Sequence, residues 1–295
     1  MHKFSRVAFA IAAAALILAC AVPSISLPGG FGASPTAPAT DTALPAPTNT
    51  ALPVATDTAA PTNTPVISSP VPPGTQVDYG TLHIWIPDGL ATGTTNTTGT
   101  DVEFPYINPS GGQMPQHLKL VLDGYPIQGA VLDPQVMLFP AADYSKYSDL
   151  TAQVISTLQT VPYLDGQPLP PGLPAGAFNA HAGAVTFANG HGIRYLTQFD
   201  QTPLPANNRE LIYYFHGLTN DGNSYVQAIL PLQAQFLPAD QDLNSPLPSG
   251  GVPFNMDDLG TYFQNISDKL NATPPGQFTP TLSVLDALLQ SISIK

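Results

Sequence analysis

The sequence predicts an α+β fold: an antiparallel β-sheet with helices packed on its faces, α-β-α sandwich-like, preceded by a disordered Pro/Thr-rich tether. Three observations lead there. Short apolar runs are joined by tight-turn signals, which pair antiparallel neighbours. Apolar residues recur at helical spacing once between the strand groups and twice near the carboxyl end. Before all of these comes a Pro, Thr and Ala block too poor in large apolar side chains to build a core.

His2, Lys3 and Arg6 open the chain, and residues 7–19 (VAFAIAAAALILA) are apolar throughout. That run falls short of the roughly 20 residues a bilayer span needs. A basic start followed by such a run has the layout of a secretory signal. Its end, Ile17-Leu18-Ala19-Cys20, resembles a bacterial lipobox and holds the single cysteine of the chain. The resemblance implies that residues 1–19 are a signal peptide and that the Cys20 thiol is acylated. The lipid membrane is then a partner through Cys20, and the protein sits at the cell membrane facing the extracytoplasmic side. Two or more acyl chains hold a protein stably where one holds it only reversibly. With one cysteine no disulfide can staple the exported domain.

Residues 20–76 read as a disordered linker. Asp41 and Asp57 are its charges, and a degenerate octad runs through it: TALPAPTN from Thr42, TALPVATD from Thr50, TAAPTN from Thr58. Frequent proline favours extended polyproline II at about 3.1 Å per residue.

Residues 77–295 read as one domain, long enough for a sizeable core. Lys119, Lys146, Arg194, Arg209, Lys269 and Lys295 face eighteen acids. That balance argues against nucleic acid and against an anionic lipid surface. Strands are expected at 79–87, 118–125 and 134–140. Two hairpins follow, one around Asn189-Gly190 and one around Asn220-Asp221-Gly222. In ELIYYFHGL, Leu211, Tyr213 and Phe215 alternate with Ile212 and Tyr214, so a strand there is apolar on both faces and needs cover on both. Helices are expected over 143–160, 256–271 and 280–292. Asn255 is the expected cap of the second, with Asp257 and Asp258 suited to its positive end. Thr279 is the expected cap of the third, with Pro280 in its first turn. Residues 91–116 and 162–177 read as long mobile loops.

The runs NGHGIRYLTQF and NNRELIYYFHGLTNDGNSYV resemble those of bacterial lipoprotein ectodomains to which no activity is assigned. The order of elements resembles the PsbP-like α-β-α sandwich. Neither resemblance implies a catalytic residue or a cofactor.

The sequence contains no G-x-S-x-G elbow, no H-E-x-x-H and no Gly-rich phosphate loop. Asp240-Gln-Asp242-Leu-Asn244 starts like a calcium loop, but Ser245 stands at the turn glycine and Gly251 at the bidentate glutamate. Arg194, Arg209 and Glu210 are scarce charges expected to pair among themselves or with Asp200 or Asp221. The reading that follows is a membrane-anchored lipoprotein with a non-enzymatic binding or scaffolding domain, needing no cofactor or metal. Its partner is an envelope protein, the cell wall or a small molecule. The alternative is a cell-envelope hydrolase or other enzyme whose site gathers His181, His191 and His216, three imidazoles able to hold zinc.

Overall fold

The computed structural model describes residues 73–100, 112–160, 163–200 and 202–295. The lipobox-like run ending at Cys20 and nearly all of the expected tether lie outside the described residues.

The chain opens with β1 (Gly74–Tyr79), β2 (Leu82–Pro87), β3 (Gly93–Gly99), β4 (His117–Asp123) and β5 (Gln135–Pro140). Helices α1 (Ala141–Ser145) and α2 (Asp149–Thr160) follow, then β6 (Ala180–Phe187), β7 (Gly190–Thr197), β8 (Ile212–Thr219) and β9 (Ser224–Pro231). The remainder is β10 (Gln233–Ala234), α3 (Leu259–Ala272), a 3-10 turn (Pro275–Gln277), β11 (Phe278–Thr279), α4 (Leu282–Gln290) and β12 (Ser293–Ile294).

Seven strands form one antiparallel sheet in the order β3-β4-β5-β9-β8-β7-β6. A smaller sheet has the order β1-β2-β12, and β10 pairs with β11. The fold class is therefore α+β with a large antiparallel sheet and few helices, as the turn signals and periodicities indicate. Every residue of β8 is buried. Leu211, Tyr213 and Phe215 join one apolar cluster, with Leu82, Ile84 and Ile86 of β2 and the inner residues of α3 and α4. Ile212 and Tyr214 join a second, with Tyr144 of α1 and Val154, Ile155 and Leu158 of α2. The alternation read from ELIYYFHGL is thus the device that splits the core between the two clusters.

Several elements differ from expectation. The strand β1 begins at Gly74, inside the stretch that composition assigns to the tether. The strand β3 occupies Gly93–Gly99 within the expected loop at 91–116. Its sequence GTTNTTG carries no large apolar residue, and it is a mostly exposed sheet edge held by pairing with β4. Threonine favours the extended backbone, but periodicity cannot reveal a strand without an apolar face. The expected helix over 143–160 is two helices. Ser148 and Thr151 exchange backbone and side-chain hydrogen bonds (Ser148 N to Thr151 Oγ1 2.9 Å, Thr151 N to Ser148 Oγ 3.2 Å) in the manner of a capping box, starting α2 afresh. Asp258, and not Asn255, caps α3, accepting from Thr261 N at 3.0 Å. Asn255 instead accepts from Asp257 N in the turn before it. The N-cap position of α4 is Thr281 and not Thr279, and Pro280, joined to Thr279 by a cis peptide, precedes the helix.

Candidate functional site

The structure does not bring His181, His191 and His216 together. His181 opens β6 at a bulge with φ 47°, and its Nε2 lies 2.7 Å from Leu270 O and 3.1 Å from Thr273 O at the end of α3. Burial lowers its pKa. His191 lies on β7, with Nε2 3.3 Å from Leu158 O and Nδ1 3.5 Å from Asn220 Oδ1. His216 is fully buried in β8 between two tyrosines. Tyr195 donates its hydroxyl proton to Pro174 O at 2.7 Å, so at 3.1 Å it accepts from His216 Nε2–H. The Nδ1 of His216 then accepts from the Tyr225 hydroxyl at 2.5 Å. Burial pushes His216 down to about 3. Each histidine thus has a separate structural post, and among the described residues no group of three or more metal-ligating side chains occurs. The calcium-like loop is also turned on itself. Asp240 accepts from Asp242 N and Ser245 Oγ, and Asp242 from the backbone and side chain of Asn244.

The scarce charges pair differently from expectation. Arg194 Nε lies 3.2 Å from Asp286 Oδ1 on α4, and its Nη1 donates to His181 O. Tyr213 donates to the same Asp286 oxygen at 2.6 Å. Asp200 and Glu210 are gathered instead by the amide of Gln198, which donates to Asp200 Oδ2 at 2.7 Å and to Glu210 Oε2 at 3.2 Å. Asn207 donates to Glu210 Oε2 at 2.6 Å, and both amides donate to Pro205 O. Burial, reinforced by the Glu210 carboxylate, raises Asp200 to about 6 against the opposing pull of Gln198. Ala206 N donates to the Tyr262 hydroxyl at 2.9 Å, which ties this polar knot to α3.

Pro205 and Tyr262 also form one side of an apolar groove of about 530 Å³. The loop between β10 and α3 supplies the other side with Leu243, Leu247, Val252, Phe254 and Met256. Phe254 stands edge-on to Tyr262 at a centroid distance of 5.0 Å. Three of the five large apolar side chains that are exposed among the described residues converge here: Leu243 at 64%, Leu247 at 44% and Met256 at 63%. Single exposed apolar residues are ordinary, but a group of them around a concavity is not, and this groove is the candidate site among the described residues. The volume lies within the roughly 300–1,000 Å³ of small-molecule sites. A more open depression of about 630 Å³ beside the same helix, lined by Asn179, Gln264 and Ser267 among others, has no exposed large apolar side chain.

Sequence reasoning passed over this groove. The available signal was a set of large apolar residues at no regular spacing within a Pro, Ser, Asp and Gly loop that gives them no core to enter.

No family model, no curated protein and no solved structure matches the chain.

Proposed function

We propose that this protein is a surface lipoprotein held to the membrane by acyl chains on Cys20, with a non-enzymatic domain that binds a ligand outside the bilayer. On this reading residues 1–19 are a removed signal peptide, 20–76 a tether, and 77–295 the binding domain with an α-β-α sandwich arrangement. The two apolar clusters on alternate residues of the central strands support that layering. The lipobox-like run ending at Cys20 supports the anchor. No helix among the described residues is long and apolar enough to cross a membrane. The groove at Leu243, Leu247 and Met256 is the observation that carries the binding role. Exposed side chains of that kind oppose solubility, and a surface that retains them is explained by an occupant.

The anchor is tested by fractionating cells that express the wild-type chain or Cys20→Ser, together with mass spectrometry of the mature amino terminus. The expected result is an acylated residue 20 at the terminus and release of the variant into the soluble fraction. A variant that stays with the membrane, or a mature chain without acyl mass, overturns the reading.

A further inference from the structure

The charges around the groove select among ligands, and this inference rests on the binding role proposed above. From Glu210 to Asp268 the chain contains no lysine or arginine. Asp242 lines the groove directly, and Asp240, Asp257 and Asp258 lie in the same loop, the last two adjoining Met256. Among the described residues, Lys269 and Arg209 stand near this loop, and each already has an acceptor or an opposing charge. Lys269 Nζ donates to Gly250 O and lies 5.0 Å from the centre of the Phe236 ring, and Arg209 is the cation felt by Asp240. The groove therefore sets an apolar floor beside one carboxylate, Asp242, in a loop that carries three further acids.

We infer that the groove at Leu243, Leu247 and Met256 takes a small apolar amine, its hydrocarbon body between Met256 and Tyr262 and its ammonium group at Asp242. The floor recognises the body by removal of apolar surface from water. The Asp242 carboxylate recognises the cation and repels an anion of the same shape. Tyr262 accepts from Ala206 N, which holds its ring at the groove wall.

The test uses the full chain in phosphatidylcholine nanodiscs, with empty discs as the blank. Binding of 4-phenylbutylamine, 4-phenylbutanol and 4-phenylbutyrate is followed by saturation-transfer NMR. The expected result is one saturable site above the blank, with the amine bound about tenfold more tightly than the alcohol and the carboxylate weakest. Asp242→Asn, which keeps an acceptor for Asn244, brings the amine to the level of the alcohol. The double substitution Leu243→Ser with Met256→Ser removes the saturable signal for all three, and both positions are exposed enough that folding is unaffected. Equal affinities for the three probes overturn the amine inference while the groove remains a binding site. No saturable signal for any probe, or binding that survives the double substitution, overturns the groove as a binding site altogether.

Discussion

His216 is neutral in the fold, where its Nε2 proton and Nδ1 lone pair are both used by tyrosine hydroxyls. Its pKa of about 3 lies below the roughly 6.5 of an unfolded chain. Between those values the unfolded state takes up a proton that the folded state refuses. Stability is therefore unaffected by this group above about pH 6.5 and falls by about 1.4 kcal/mol per pH unit as the pH drops toward 3. His216→Gln keeps a donor and an acceptor without a titrating ring. It is expected to be less stable than wild type at pH 7, by about 1–3 kcal/mol, and the gap closes between pH 6 and pH 4. Urea unfolding across that range checks this, and parallel curves for the two proteins refute it. Asp200 has the opposite sign. Its folded pKa of about 6 exceeds the usual carboxylate value, so its ionised form weakens the fold above pH 6, and that penalty fades as the pH falls through 6 toward 4. Asp200→Asn should raise the urea midpoint at pH 8 and leave it nearly unchanged at pH 4. The gain is under about 1 kcal/mol, because the half-exposed carboxyl is screened by water.

Among the elements, β7 and β8 meet at directly paired glycines, Gly192 opposite Gly217. The rings of Phe187 and Phe215 stand edge-on at 6.3 Å in the space this leaves. A Cβ at Gly192 would lie 2.2 Å from His216 O and 2.6 Å from the Phe215 ring. Gly192→Ala is expected to destabilise by about 1–3 kcal/mol through overpacking. Gly99→Ala, on the edge strand with nothing within 4 Å of the new carbon, is the matched control and should leave the melting midpoint unmoved. A Gly192→Ala protein that melts with wild type would show that the paired glycines serve no steric purpose. The same contrast explains what could be read in advance. Strands such as β8, apolar on both faces and ended by a turn, declare themselves in the sequence. The strand β3 does not, because its residues are held by ladder hydrogen bonds to β4 rather than by burial. The break before α2 was hidden as well, since Ser148 and Thr151 also fit within an unbroken helix and only their reciprocal bonds fix the restart.

At the scale of the whole molecule, one cysteine gives the domain no internal disulfide, so packing and strand pairing carry what a disulfide would otherwise add. The groove is a property of this scale, because its walls come from the segment before β8, the loop after β10 and the helix α3. No local spacing joins Pro205, Leu243 and Tyr262, so the sequence offers the loop's stranded apolar residues but not the walls that turn them into a groove. The amino-terminal border belongs to this scale too. Composition sets it after residue 76, but β1 pairs with β2 from Gly74↔Pro87 through Tyr79↔Leu82, and Val77 packs against the core. A fragment of residues 73–295 is therefore expected to melt at the same temperature as the longer chain, since it keeps the whole β1–β2 ladder. A fragment of residues 80–295 strips one edge from β2 and uncovers part of that core. It should melt several degrees lower, at roughly 2–4 °C for each kcal/mol lost in a domain of this size. Trp85, the single tryptophan and the register partner of Gln76 on β1, reports the loss directly as a change in fluorescence. Equal midpoints for the two fragments would mean that β1 contributes nothing to the fold. A longer chain that outlasts residues 73–295 would mean that the residues before 73 add to the stability of the domain, against the tether role proposed above.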